Sequence, residues 1–231
     1  MDKAGYRLPH IPFASTGPFV NTTTFINDFI TLAPPLLLAL TFHEFAHGYV
    51  AHRLGDPTAK LAGRLTLNPL KHLDPIGTLA FFLIKIGWAK PVPVNPRFFA
   101  HPKTDMLWVA LAGPLTNLAL AVVSALLAKS IWFLAPLLPP TPLVAGIIVP
   151  VNTMLIASVW INLLLCIFNF LPFPPLDGSR ILVGVLPDRF AQSYMQFEKY
   201  GFILVLILAF SGALSKIILP VIRFANNLLL S

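Results

Sequence analysis

Residues 40–52, LTFHEFAHGYVAH, place one Glu and three His within thirteen positions at the end of an apolar run. His43-Glu44-Phe45-Ala46-His47 is an H-E-x-x-H pattern. On a helix, residues four apart differ by about 40° in azimuth, so both imidazoles share a face. That separation lets two His grip one zinc ion. Glu44, about 100° round from His43, can reach a water at the metal as general base. With six His and two Glu in the chain, random placement would give the pattern about 0.001 times. The bland alternative is a set of polar residues hydrogen-bonded inside a bundle. Against it, ionisable groups inside a membrane are expensive and functional by default. His52 follows His43 by nine residues, about 900° round the helix, which is the opposite face. It reads as interfacial. His10, His72 and His101 fall in basic or Pro-rich polar segments.

A catalytic zinc usually takes three protein ligands and keeps one position open. Among the acids, Asp177 stands apart. FNFLPFPPLDGSR holds it on a stretch stiffened by three prolines, at the end of an apolar span and just before Gly178. Its alternative role is to cap the short helix that follows, and one residue could do both.

The elements that must carry these groups are membrane helices. Of the 231 residues, 56% are hydrophobic and 11% charged, with a mean hydropathy of +0.78. A soluble domain carries about 25% charge. The expectation is an all-α polytopic membrane protein: a helical bundle with a short re-entrant helix and a Pro-rich extended segment. Spans are expected at about 25–54, 105–135, 144–171 and 190–214, all within one domain covering 25–214. Residues 1–24 read as an interfacial segment and 215–231 as a helical tail. The first span contains Pro34-Pro35, so its continuous helix is expected from Pro35. PIGTLAFFLIKIGW, residues 75–88, is short and holds Lys85, which fits a re-entrant or tilted helix. PVPVN, residues 91–95, favours an extended strand with one poorly pairing edge. No secretory signal is apparent. Cys166 has no disulfide partner and reads as a small core hydrophobe.

The net charge of +7 does not imply nucleic acid, because the basic residues cluster in loops between apolar runs. Residues 53–103 carry eight Lys and Arg, whereas 136–142 carry none. The positive-inside rule puts 53–103 and 172–189 in the cytoplasm and the N-terminus outside, against the mild pull of Lys3 and Arg7. The metal would then sit about 9–15 Å below the cytoplasmic interface marked by Arg53.

HEFAH, AGPLTN and NFLPFPPLDG, in this order, resemble the site-2 protease family of intramembrane zinc metalloproteases. The basic AGRLTLNPLKHLDPIGT segment is similar to prokaryotic members. The resemblance covers residues 36–186. It implies His43, His47 and Asp177 as ligands of one Zn2+ per chain, with Glu44 as the base. It also implies Asn117 near the zinc, contacting substrate or stabilising the oxyanion; the alternative is interhelical glue. Asn169 is family-like too, with a structural role at the Pro-rich turn as the other reading. Members often read D-G-G where this chain has Ser179. The implied substrate is a transmembrane protein in the lipid bilayer, and the implied place is the cell (inner) membrane of a prokaryote, with the site toward the cytoplasm. A helical substrate must unwind locally, and residues 91–95 could receive it by β-augmentation. A di-iron bundle fails on residue supply, since Glu198 is the one other Glu and has no His partner. A membrane metal transporter or non-catalytic metal-binding protein stays open as the alternative.

Overall fold

The structure, a computed structural model, describes residues 22–77, 87–139 and 141–231. It is helical, with no strand among the described residues, and four helices are long and apolar enough to cross a membrane. Helix α1 runs Thr22–Arg53 and a short turn of helix, α2, runs Thr58–Leu61. Then come α3, Pro102–Leu134, and α4, Pro142–Asn169. Four more follow: α5, Asp177–Val185; α6, Asp188–Met195; α7, Glu198–Phe210; and α8, Ala213–Leu230.

Helices occupy the first three regions expected as spans, with small shifts in their ends. Helix α1 continues unbroken through Pro34 and Pro35, where the sequence suggested a start at Pro35. Both prolines lack an N–H, but the flanking turns carry the ladder past them. Both α3 and α4 open on a proline at their first position, where a missing N–H costs nothing. The Thr141 side chain accepts the Val144 N–H at 3.3 Å.

The region expected as one span at 190–214 is divided. Helices α6 and α7 meet at a 66° bend. Gly212, with φ of 73°, then separates α7 from α8. Glycine takes that left-handed conformation without penalty, which lets one helix end and another begin. Residues expected as a tail form most of α8, which buries Leu214, Ile218 and Ile222.

Helix α3 lies at the centre, packed against α1, α4 and α5, while α4 also meets α1 and α8. Ala121 and Ala125 of α3 pack with Val159 and Leu163 of α4, Val205 of α7 and the buried side chains of α8. Small residues on α3 allow this close approach. Outward faces carry exposed Trp132, Phe133, Ile147, Ile203 and Phe210, the pattern of helices that bury little of their apolar surface within the protein.

The expected re-entrant helix falls largely on 78–86, outside the described residues. Beside it, Leu73 and Ala89 form an isolated antiparallel bridge, and the Lys90 N–H donates to His72 O at 2.9 Å. His72, placed by sequence in a polar segment, is buried (1% exposed) and contacts Thr66 O at 2.8 Å through Nε2. Residues 91–95 run without helix.

Candidate metal centre

His43 and His47 sit one turn apart on α1 with their rings edge-on, 86° between planes. Both are nearly enclosed, at 6% and 9% exposure. Each ring is aimed from α3. His43 Nδ1 lies 2.6 Å from Asn117 Oδ1, and His47 Nδ1 lies 2.7 Å from the Val109 carbonyl. The Val109 carbonyl can only accept, so the His47 proton is on Nδ1. The same sense at Asn117 places the His43 proton on its Nδ1. Both Nε2 atoms then present lone pairs, and they face each other at 3.0 Å.

Asp177 completes the group. Its Oδ2 is 3.2 Å from His43 Nε2 and 3.3 Å from His47 Nε2. That oxygen is buried with no hydrogen-bond partner. Asp177 opens α5 but makes no side-chain capping bond, so the capping alternative is not realised. The turn that presents it is stapled by Ser179, whose N–H and hydroxyl both donate to Leu176 O, at 3.0 and 2.7 Å. Ser179 is buried, so the departure from D-G-G gives the turn an added tie.

With both imidazoles neutral in this tautomer, as a metal ion requires, three electron-pair donors converge on one point. Their separations match the ligand-to-ligand edge of about 3.3 Å in a tetrahedral zinc site with bonds of about 2.0–2.1 Å. The space in front of the imidazoles is kept by Gly113. A Cβ there would lie 2.6 Å from Cε1 of each ring and closer still to His47 Nε2. Among the described residues, His43, His47 and Asp177 are the group positioned to hold one metal ion.

Glu44 is turned toward the 91–95 segment, and its Oε2 accepts the Val92 N–H at 2.8 Å. The segment is held again at its far end. Asp56, fully buried, takes the Asn95 N–H on Oδ2 at 2.7 Å and the Thr58 N–H on Oδ1 at 2.9 Å. The Thr58 hydroxyl also donates to that Oδ1. Arg64 donates to Lys90 O at 2.6 Å. Val92 packs against Gly48, one turn beyond Glu44, where a Cβ would meet Val92 Cγ1 at 3.1 Å. Sequence reasoning missed Asp56 and Arg64, whose loop-borne charges carry no spacing that marks them.

Asn117 reaches the site, but its carboxamide is committed inside the protein. It is fully buried, and its Nδ2 donates to Ala39 O at 3.2 Å and Asn162 Oδ1 at 2.8 Å. Asn169 donates to Leu165 O of its own helix at 3.0 Å, the structural role. His52, on the last turn of α1, is not in the metal group.

Comparison with known proteins agrees with this chemistry. A model described as peptidase family M50 matches residues 31–212. A Bacillus subtilis protein named as a zinc metalloprotease, YwhC, is 40% identical over 197 residues, covering 84% of this chain and 87% of that one. A Mycolicibacterium smegmatis protein named as a zinc metalloprotease, Rip2, is 26% identical, over 85% of this chain and 73% of its own. Zinc metalloprotease MJ0392 of Methanocaldococcus jannaschii is 28% identical, over 81% of this chain and 44% of its own. No solved structure gives a significant match.

Proposed function

Because the chain belongs to peptidase family M50 and is a zinc metalloprotease with several helices able to span a membrane, we propose that it is an intramembrane endopeptidase. It hydrolyses peptide bonds in or near transmembrane segments of other membrane proteins. The observation that carries this is the donor trio itself, two Nε2 lone pairs and an unpartnered Asp177 oxygen within 3.3 Å of one another, on helices whose outer faces are apolar. The basic 53–103 region supports a cytoplasmic opening, and prokaryotic relatives support the cell membrane as its place.

In this reading His43, His47 and Asp177 hold the metal. When bound, zinc supplies Lewis acidity that makes a water nucleophilic near neutral pH and polarises the scissile carbonyl. Glu44 accepts the proton of the attacking water at Oε1, since Oε2 is held by the Val92 N–H, and returns it to the leaving amine. Asn117 orients His43; with Oδ1 and Nδ2 engaged inside the protein, it is a positioning residue in place of the expected oxyanion contact. The Val92 and Asn95 N–H groups are taken by Glu44 and Asp56, and Pro91 and Pro93 have none. A substrate strand laid on 91–95 is therefore held mainly through carbonyls of that segment. The transporter reading would need polar groups along a second half of a pathway, and the metal-binding cluster among the described residues is this one group.

The test is cleavage of a membrane-spanning peptide by purified protein in lipid nanodiscs. Wild type with one zinc per chain cuts it; Glu44→Gln keeps the zinc and loses cleavage by a factor of about 100 or more. A zinc-loaded wild type that cuts soluble peptides but no membrane-spanning one would overturn the intramembrane reading.

A further inference from the structure

Behind the metal trio a line of buried amides continues past Asn117 to a residue that the hydrolytic mechanism does not use. Asn162, on α4, is 1% exposed. Its Nδ2 donates to the Ser158 carbonyl at 2.9 Å and to Ser158 Oγ at 3.1 Å. Its Oδ1 accepts from Asn117 Nδ2, and Asn117 Nδ2 also donates to Ala39 O. The chain of bonds ends at His43 Nδ1. Ser124 of α3 touches Ser158 Oγ at 2.8 Å from the far side.

The sense of this chain is fixed at both ends by groups that cannot turn round. Backbone carbonyls of Ser158 and Ala39 only accept. The first obliges Asn162 to present its oxygen to Asn117. The second, with that oxygen, obliges Asn117 to point its NH2 away from His43 and its oxygen toward it. Were the Asn117 amide reversed, its oxygen would face two acceptors and its NH2 would face His43 Nδ1. The imidazole proton would then move to Nε2, and the lone pair needed by a metal would be lost. Which nitrogen of a ligating His is free is set by the bond the other one makes.

We propose that Asn162 is a positioning residue for the metal centre: its carboxamide, oriented by the Ser158 carbonyl, fixes the sense of Asn117 and so keeps the His43 proton on Nδ1 and the Nε2 lone pair toward the metal. This rests on the reading of His43 as a zinc ligand. Helix α4 donates no ligand, yet it determines whether a ligand on α1 is usable.

The test is a double-mutant cycle on zinc affinity, measured on the full-length chain in detergent by competition with a chelator. Asn162→Leu preserves side-chain size without the amide. It is expected to weaken zinc binding about 10–100-fold, the range for an outer partner of a metal ligand, and to cost nothing further in an Asn117→Leu background. Ser124→Ala, which removes a hydrogen bond to the Ser158 hydroxyl and none to either amide, is expected to leave affinity unchanged. Nitrogen NMR of 15N-histidine-labelled, zinc-free wild type, at a pH high enough for the ring to be neutral, is expected to show the His43 proton on Nδ1. Asn162→Leu binding zinc as tightly as wild type, an equal loss in the Asn117→Leu background, or a wild-type His43 proton on Nε2 would each overturn the proposal. The wild-type spectrum decides if Asn162→Leu does not fold. Failure of the ligand reading itself is separate: His43→Ala would then bind zinc like wild type.

Discussion

Gly113 offers the sharpest perturbation of the centre. Replacing it with Ala adds one methyl group, set 2.6 Å from Cε1 of both His43 and His47. Ordinary carbon contacts begin at about 3.5 Å, so the rings must retreat by about 0.9 Å or α3 must back away from α1. Metal bonds tolerate departures of about 0.2 Å. Either response therefore removes at least one nitrogen from the coordination sphere, and retreat of α3 also pulls the Val109 carbonyl and Asn117 from the rings they aim. Zinc affinity is expected to fall by at least about 100-fold, beyond the range for loss of an outer partner, with cleavage falling alongside. Loss of helix stability does not explain such a result, because Gly to Ala in a helix interior stabilises it by about 0.5–1 kcal/mol. Chelator competition on purified protein measures the affinity, with Gly146→Ala as control, since nothing lies within 4 Å of its added Cβ. A Gly113→Ala protein that binds one zinc with wild-type affinity would refute the inference that this glycine keeps the metal's space.

Three further outcomes are expected. Asp177→Ala leaves the two imidazoles without their anionic companion, and metal analysis should show zinc lost while the helical content by circular dichroism is retained. Gly178→Ala drives a methyl group onto the Leu171 and Phe170 carbonyls; the turn bearing Asp177 must open, lowering both zinc occupancy and melting temperature. Asp56→Ala strips the Asn95 and Thr58 N–H groups of their acceptor, at a cost of about 1–3 kcal/mol for the buried groups left unpaired. Because the far end of the 91–95 segment is then loose against Glu44, cleavage should fall while zinc stays at one per chain.

The metal trio was legible because its information is local. Two His at a helical spacing share a face whatever the rest of the fold does, and three prolines beside Asp177 announce a rigid turn. The first three long helices were legible from apolar runs of sufficient length. What could not be read depends on register between helices. Asn117 was expected to face the substrate, and only the placement of Ala39 and Asn162 around it shows its amide turned inward. Asn162 is one of several Asn in an apolar stretch, and nothing in the sequence separates it from Asn152. The division of 190–214 was hidden for another reason. A 66° bend between α6 and α7 leaves the mean hydropathy of the run unchanged, and Gly212 breaks the chain in a way that composition averages away.

That α3 aims both imidazoles has a consequence for when this enzyme becomes dangerous to its neighbours. In the order of synthesis, the H-E-x-x-H helix precedes the partners that steer its two rings. The partners at Val109 and Asn117 follow with the next span, and the carboxylate arrives only after a third. A chain that stops short of Asp177 carries the whole motif but only two of the three donors positioned to hold one metal ion, so in the proposed reading the order of synthesis itself serves as a safety catch.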